Sequence, residues 1–156
     1  MTVIDTRQGL SGLEYFRKML AGELAPPAML DLFNIRLVEV DEGRVVFAAI
    51  AEERFYNGTG VAHGGFAATL LDTALGCAIN STMPVGRRFT TLELKINLTR
   101  PITTAAGLLR CEASVVHVGS RTATSEGRIL DRHGKLYAHG TTTCIVVEPP
   151  RGTLEP

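Results

Sequence analysis

A single charged residue, Asp72, stands between Arg54 and Arg87. Around it, residues 63–79 read HGGFAATLLDTALGCAI, apolar or small at nearly every position. Ala and Leu favour helix, and a helix that is apolar all round is expected in the middle of a fold. A lone carboxylate there costs several kcal/mol, of order ~3–5, unless it is paired, hydrogen-bonded or neutralised. That cost points to a use as a general base or nucleophile. The other reading is a structural Asp bonded to backbone amides or to Thr69 or Thr73.

The segment before this helix supplies complementary chemistry. Asn57-Gly58-Thr59-Gly60 is turn-prone, and His63-Gly64-Gly65 leads into the helix. The first helical N–H groups lack intrahelical partners and carry the positive end of the dipole. Glycines there let a substrate oxygen approach, which suits a developing oxyanion. Asp72 follows Gly64 by eight residues, roughly 12 Å at about 1.5 Å per residue. One chain's helix start and its own Asp72 are therefore too far apart to flank one carbonyl carbon. Two antiparallel helices across a dimer axis would bring them together, giving two shared sites per dimer.

The elements that must position these residues are legible nearby. Ser11 and Glu14 form a capping-box pattern before Leu13, Phe16 and Leu20, with Gly22 as the stop. A short second helix is expected after Pro26-Pro27, carrying Met29, Leu30, Leu32 and Phe33. Residues 35–40 and 44–50 read as a hairpin around Asp41-Glu42-Gly43. The central helix is expected to stop at Asn80-Ser81 and Pro84. In residues 91–98, Leu92, Leu94, Ile96 and Leu98 alternate onto one face. Strands at 108–118, 122–130 and 135–147 follow, joined by turn-like connectors and so antiparallel. This pattern predicts an α+β domain, one curved antiparallel sheet wrapping a long apolar helix, with a partner subunit over the uncovered face.

Bulk properties exclude several classes. Lys plus Arg equals Asp plus Glu at 16 each, which argues against a nucleic-acid or membrane-surface binder. Cys77, Cys111 and Cys144 lack CxxC spacing and sit in apolar stretches, so they read as small buried hydrophobes. The four histidines are scattered and predict no metal site. There is no G-x-S-x-G, and Gly58-x-Gly60 lacks a dinucleotide-site context. The first residues show no basic start followed by an apolar run, and no membrane span is evident, so a cytoplasmic protein is expected. The N-x-[ST] triplets at Asn57, Asn80 and Asn97 are accordingly read as chance matches.

Asn57-x-x-Gly60-x-x-His63-Gly64-Gly65, followed by Leu71-Asp72-Thr73-Ala74, resembles the PaaI-like acyl-CoA thioesterases of the phenylacetate pathway. These belong to the hotdog-fold 4-hydroxybenzoyl-CoA thioesterase superfamily. The TTLELKINLTRP and VVHVGSRTATSEGRI blocks extend the resemblance over roughly residues 30–147. The resemblance implies a helical extension at 1–30, a hotdog domain at 31–148 and a loose tail at 149–156. It also implies acyl-CoA hydrolysis with Asp72 as base or nucleophile and the Gly64 amide, beside Gly65, on the carbonyl oxygen. Asn57 would orient carbonyl or water, His63 would be structural or carbonyl-facing, and Thr91 would assist the attacking water. For the phosphates of coenzyme A it points to Gly119, Ser120, Arg121 and Thr122, with Arg88 and Arg100 secondary. No separate cofactor is implied, since coenzyme A is part of the substrate, and the expected assembly is a homodimer or a homotetramer of two dimers. Gly76 stands where some relatives carry Thr or Ser, and others carry Glu where Asp72 stands; the acyl group stays open. Two other readings of the fold are an (R)-enoyl-CoA hydratase or dehydratase using His63 and Asp72, and a non-catalytic acyl-CoA sensor.

Overall fold

The computed structural model describes residues 9–147. Helix α1 (Gly12–Leu20) begins with the expected capping box: the Glu14 amide donates to Ser11 Oγ, and the Glu14 carboxylate accepts from the Ser11 amide. Its buried face is Gly12, Tyr15 and Phe16, whereas Leu20 is exposed, so the helix is turned from the expected Leu13/Phe16/Leu20 stripe. Gly12 explains the rotation. A Cβ on Gly12 would lie 1.6 Å from the Asn80 carbonyl oxygen, and its amide donates to Met83 O at 2.9 Å. The start of α1 is thus pressed against the end of the central helix, an approach only glycine permits. Helix α2 (Ala28–Leu32) buries Leu30 alone of the four apolar residues expected to define it, with Phe33 half-buried just beyond.

Strands β1 (Ile35–Asp41) and β2 (Arg44–Ile50) form the expected hairpin. Helix α3 (Gly64–Ser81) runs through Asn80 and Ser81 instead of stopping there. The Ser81 and Thr82 hydroxyls donate to the Ala78 and Ile79 carbonyls, satisfying acceptors that would otherwise end the helix in need of partners. Then come β3 (Arg88–Leu98), β4 (Leu108–Val118), β5 (Thr122–Asp131) and β6 (Leu136–Val147). They complete one six-stranded antiparallel sheet in the order β1-β2-β4-β5-β6-β3.

The sheet curls around α3. Phe66, Leu70, Leu71 and Leu75 of the helix are fully or almost fully buried in one core with Val45, Phe47, Leu109 and Ile129, and Ile79 is buried in a second with Met83, Ala123, Cys144 and Val146. Each such side chain contributes about 1.5–3 kcal/mol by leaving water. Gly127 and Gly140 pair with each other in the middle of β5 and β6. A Cβ on either would press on Leu75 or Leu71 and on a neighbouring strand's carbonyl, so these glycines let the sheet close tightly on the helix.

One expectation on β3 fails. The pairing with β6 skips a residue between Thr91 and Glu93, so Leu92 is the extra residue of a β-bulge and is 61% exposed. The bulge splits the alternation: Thr91 faces α3 ahead of it, and Leu94 and Ile96 face the core beyond it. The tail expected at 149–156 lies outside the described residues.

Candidate active site

Two aromatic stacks hold the loop that leads into α3. Phe55 lies between Phe33 and Phe66, with ring centroids 5.5 and 5.3 Å away. The His63 amide donates to Phe55 O and the Ala62 amide to Ile102 O, both at 2.8 Å. Within the turn, Asn57 Oδ1 accepts from the Thr59 amide at 2.8 Å and the Thr59 hydroxyl at 2.7 Å. The carboxamide oxygen of Asn57 is therefore engaged locally, which leaves its NH₂ as the group able to reach a substrate.

His63 is the N-cap of α3, and its Nδ1 accepts the Gly65 amide at 2.9 Å. This bond orients the ring and occupies the N–H of Gly65, the neighbour of Gly64 in the turn. The Gly64 N–H, by contrast, donates to no acceptor among the described residues. A Cβ on Gly64 would come within 3.0 Å of Leu98 Cδ1, so the helix start lies against the end of β3.

Asp72 corrects the expectation of burial: its residue is exposed in the single chain. The sheet covers α3 on one side; along the other, exposed Asp72, half-buried Thr73, Cys77 and Asn80 and buried Gly76 line one strip. The Thr91 hydroxyl, arriving from β3, donates to Asp72 Oδ1 at 3.2 Å. The Cys144 thiol lies 3.9 Å behind Thr91 Oγ1. Burial, with the negative charge of Asp72 a smaller influence, pushes the Cys77 thiol up to about 12. Burial likewise raises Cys144. Thiolate chemistry at neutral pH has no support at either position.

The Asp72 strip is the floor of a groove of about 530 Å³. One wall is β3 from Arg88 to Thr91, and the other is built from α1 and α2, with Tyr15, Phe16, Met19 and Leu30. Sequence reasoning assigned the N-terminal helices no part in the site. The signal was the Tyr15-Phe16-x-x-Met19 face of α1, which became readable once Gly12 fixed the rotation of the helix. A depression of similar size, about 560 Å³, lies among Arg44, Glu112, Glu126, Arg128 and His139 and contains none of these residues.

The remaining candidates are dispersed. Arg88 lines the groove. Gly119, Ser120, Arg121 and Thr122 form the β4–β5 turn, outside the groove lining. There the Gly119 amide closes the turn on Thr122 O at 2.8 Å, and Arg87 Nη2 donates to Ser120 O at 3.3 Å. The Gly119 amide is thus unavailable to a phosphate, and Arg121 is exposed. Arg100 sits beyond the other end of β3, its guanidinium bonded to Leu136 O.

An antiparallel sheet rolled around one long helix, with an acid on the helix's open strip, defines a hotdog-fold protein of the thioesterase class. Residues 59–138 match the thioesterase superfamily (4HBT), and the chain belongs to that superfamily. It is 30% identical to a Ralstonia eutropha protein that carries the description of a thioesterase and of a phenylacetic acid degradation-related protein, with a TM-score of 0.76 over 84% of this chain and 98% of that one. The Escherichia coli PaaI protein, from the phenylacetic acid degradation operon, superposes with a TM-score of 0.76 at 25% identity, covering 90% and 97% of the two chains. The 1,4-dihydroxy-2-naphthoyl-CoA hydrolase of Listeria monocytogenes is 26% identical over 116 residues, which are 74% of this chain and 93% of the relative. A Halobacterium salinarum protein named as an esterase is 35% identical over 103 residues, 63% of this chain and 66% of that protein. The PaaI-type resemblance read in the sequence is thereby confirmed, and the superfamily and the relatives' names support a hydrolase acting on thioesters. Among the described residues, no helix is long and apolar enough to cross a membrane.

Proposed function

We propose that the protein hydrolyses acyl-CoA thioesters to a carboxylate and free coenzyme A, in a homodimer whose two sites each draw on both chains. The observation that carries this reading is Asp72, held by the Thr91 hydroxyl at 3.2 Å and facing an apolar groove. A carboxylate so placed can take a proton from water, whose oxygen then adds to the thioester carbon. Alternatively, the carboxylate adds directly, and water later cleaves the resulting anhydride. In either route the carbonyl oxygen becomes an oxyanion, and collapse expels coenzyme A as a thiolate that is then protonated. No cofactor beyond the coenzyme A half of the substrate enters the reaction.

The amide of Gly64 suits the oxyanion because it is the unclaimed donor at the start of α3. It reaches Asp72 only from another subunit, and β3 offers the means. This strand is a sheet edge eleven residues long, with Leu92 and Leu98 each more than half exposed. An edge of that length is a template for pairing. Antiparallel pairing about a two-fold axis through Lys95, with Leu92 taken up as the bulged residue, sets Thr91 against Leu98 of the partner subunit. Thr91 marks Asp72 and Leu98 marks Gly64, so this register joins the two halves of the site. Arg121, exposed on the β4–β5 turn outside the groove lining, is our candidate for the phosphates of coenzyme A. Assembly of two dimers into a tetramer is carried over from the resemblance, and a solution mass measurement tests it.

Free-thiol release from a panel of acyl-CoAs tests the activity. Turnover well above the spontaneous rate is expected with at least one acyl group. Tight binding of acyl-CoA without any release would refute the hydrolase reading.

A further inference from the structure

We propose that the N-terminal helices make this an enzyme for flexible aliphatic acyl groups of about eight carbons, with Met29 and Gly76 setting the depth of the acyl groove. The inference rests on the thioesterase reading above and adds the substrate class. The groove runs along α3 from Asp72 to Asn80, eight residues or about 12 Å of helix. With C–C bonds of about 1.5 Å, an extended chain gains roughly 1.3 Å per methylene, so about eight to nine carbons fill that length. A single aromatic ring would leave the far half empty.

The lining matches a chain in chemistry as well as in length. Tyr15, Phe16, Leu30 and Phe47 are buried or nearly so and form an apolar wall without a nearby carboxylate other than Asp72 itself. Met19 and Met29 border the same space, and methionines adapt to a flexible ligand where a rigid slot would not. Gly76 lies one helical turn past Asp72 on the floor, where a Cβ would already meet the Phe89 ring at 3.3 Å. The missing side chain keeps the passage open beyond the reacting carbon. Met29, across the groove on α2, is 54% exposed and can accept a larger side chain without disturbing the core.

The test is kcat/KM for acetyl-, butyryl-, hexanoyl-, octanoyl-, decanoyl- and phenylacetyl-CoA with the full-length wild type, Met29→Trp and Gly76→Ala. In the wild type, kcat/KM should rise up to about fourfold per methylene, the equivalent of about 0.8 kcal/mol per buried CH₂, and level off near octanoyl. Both variants narrow the groove, one from its floor and the other from its α2 wall. Each should lower the octanoyl-to-acetyl ratio of kcat/KM at least tenfold relative to the wild type. A flat chain-length profile, phenylacetyl-CoA ranked above octanoyl-CoA, or equal losses for every acyl group would overturn the inference while leaving the hydrolase reading intact. Release from none of the panel would overturn the hydrolase reading, and this inference with it.

Discussion

If each site takes Asp72 from one chain and Gly64 from the other, two inactive variants should restore each other. Asp72→Asn removes the base or nucleophile, a loss of about 10²–10⁴-fold. Gly64→Val covers the open amide at the start of α3, and loss of one oxyanion donor costs about 10²–10³-fold. Both changes are tolerable structurally: Asp72 is exposed, and the Cβ of residue 64 would meet only the end of the flexible Leu98 side chain. In a hybrid dimer, the Asp72→Asn chain supplies an intact Gly64 and the Gly64→Val chain an intact Asp72. One of its two sites is whole, and the other carries both defects. Random pairing of equal amounts makes half the dimers hybrids, so the mixture should recover about one quarter of wild-type activity. Co-expression with two affinity tags, or mixing under mild denaturant and refolding, supplies the hybrids for thiol-release assay. Sites built within single chains would each keep one defect, and activity would then stay at the parental level of about 1% or less. That result would refute the shared-site geometry and the β3 register from which it follows.

Thr91→Val removes the hydroxyl that donates to Asp72 and keeps the shape of the strand. A hydrogen bond to a charged group is worth about 1.5–3 kcal/mol, so kcat should fall roughly 10–100-fold with KM little changed; an unchanged kcat would remove Thr91 from the site. Gly12→Ala forces a Cβ into the Asn80 carbonyl and should lower stability by about 1–3 kcal/mol or more. At about 2–4 °C per kcal/mol for a chain this long, a drop in Tm of at least a few degrees is expected by circular dichroism. The Cys77 thiol, raised to about 12, should alkylate slowly at pH 8 and speed up about tenfold per pH unit to pH 10. A Cys111→Ser/Cys144→Ser background isolates it, and a rate that saturates near pH 9 would show that the thiol is not held up by burial.

Much of this architecture is local and was therefore legible in the sequence. The capping box, the β1–β2 hairpin, the apolar α3 and the β4–β5–β6 meander each depend on residues within one element or one turn. What escaped depends on distant partners. The β3 bulge at Leu92 is set by pairing with Thr143 and Cys144, some fifty residues away. The rotation of α1 is fixed by the Gly12–Asn80 contact, which no periodicity within α1 reveals. Asp72 was recognisable as an anomaly, but its exposure follows from where the sheet stops covering α3. Its bond to Thr91 spans nineteen residues; the resemblance singled out Thr91 for the attacking water and gave no sign of this bond. In the β4–β5 turn, the Gly119 amide closes the turn itself, and glycine composition alone could not distinguish that from a phosphate cradle.

The central claim is that Asp72 drives thioester hydrolysis, and a side-by-side measurement of kcat/KM for wild type and Asp72→Asn on the best acyl-CoA tests it most directly. The account predicts a loss of at least about 100-fold, with unchanged circular dichroism, oligomer mass and binding of a non-hydrolysable acyl-CoA analogue. Wild-type turnover in a correctly assembled Asp72→Asn protein would contradict it.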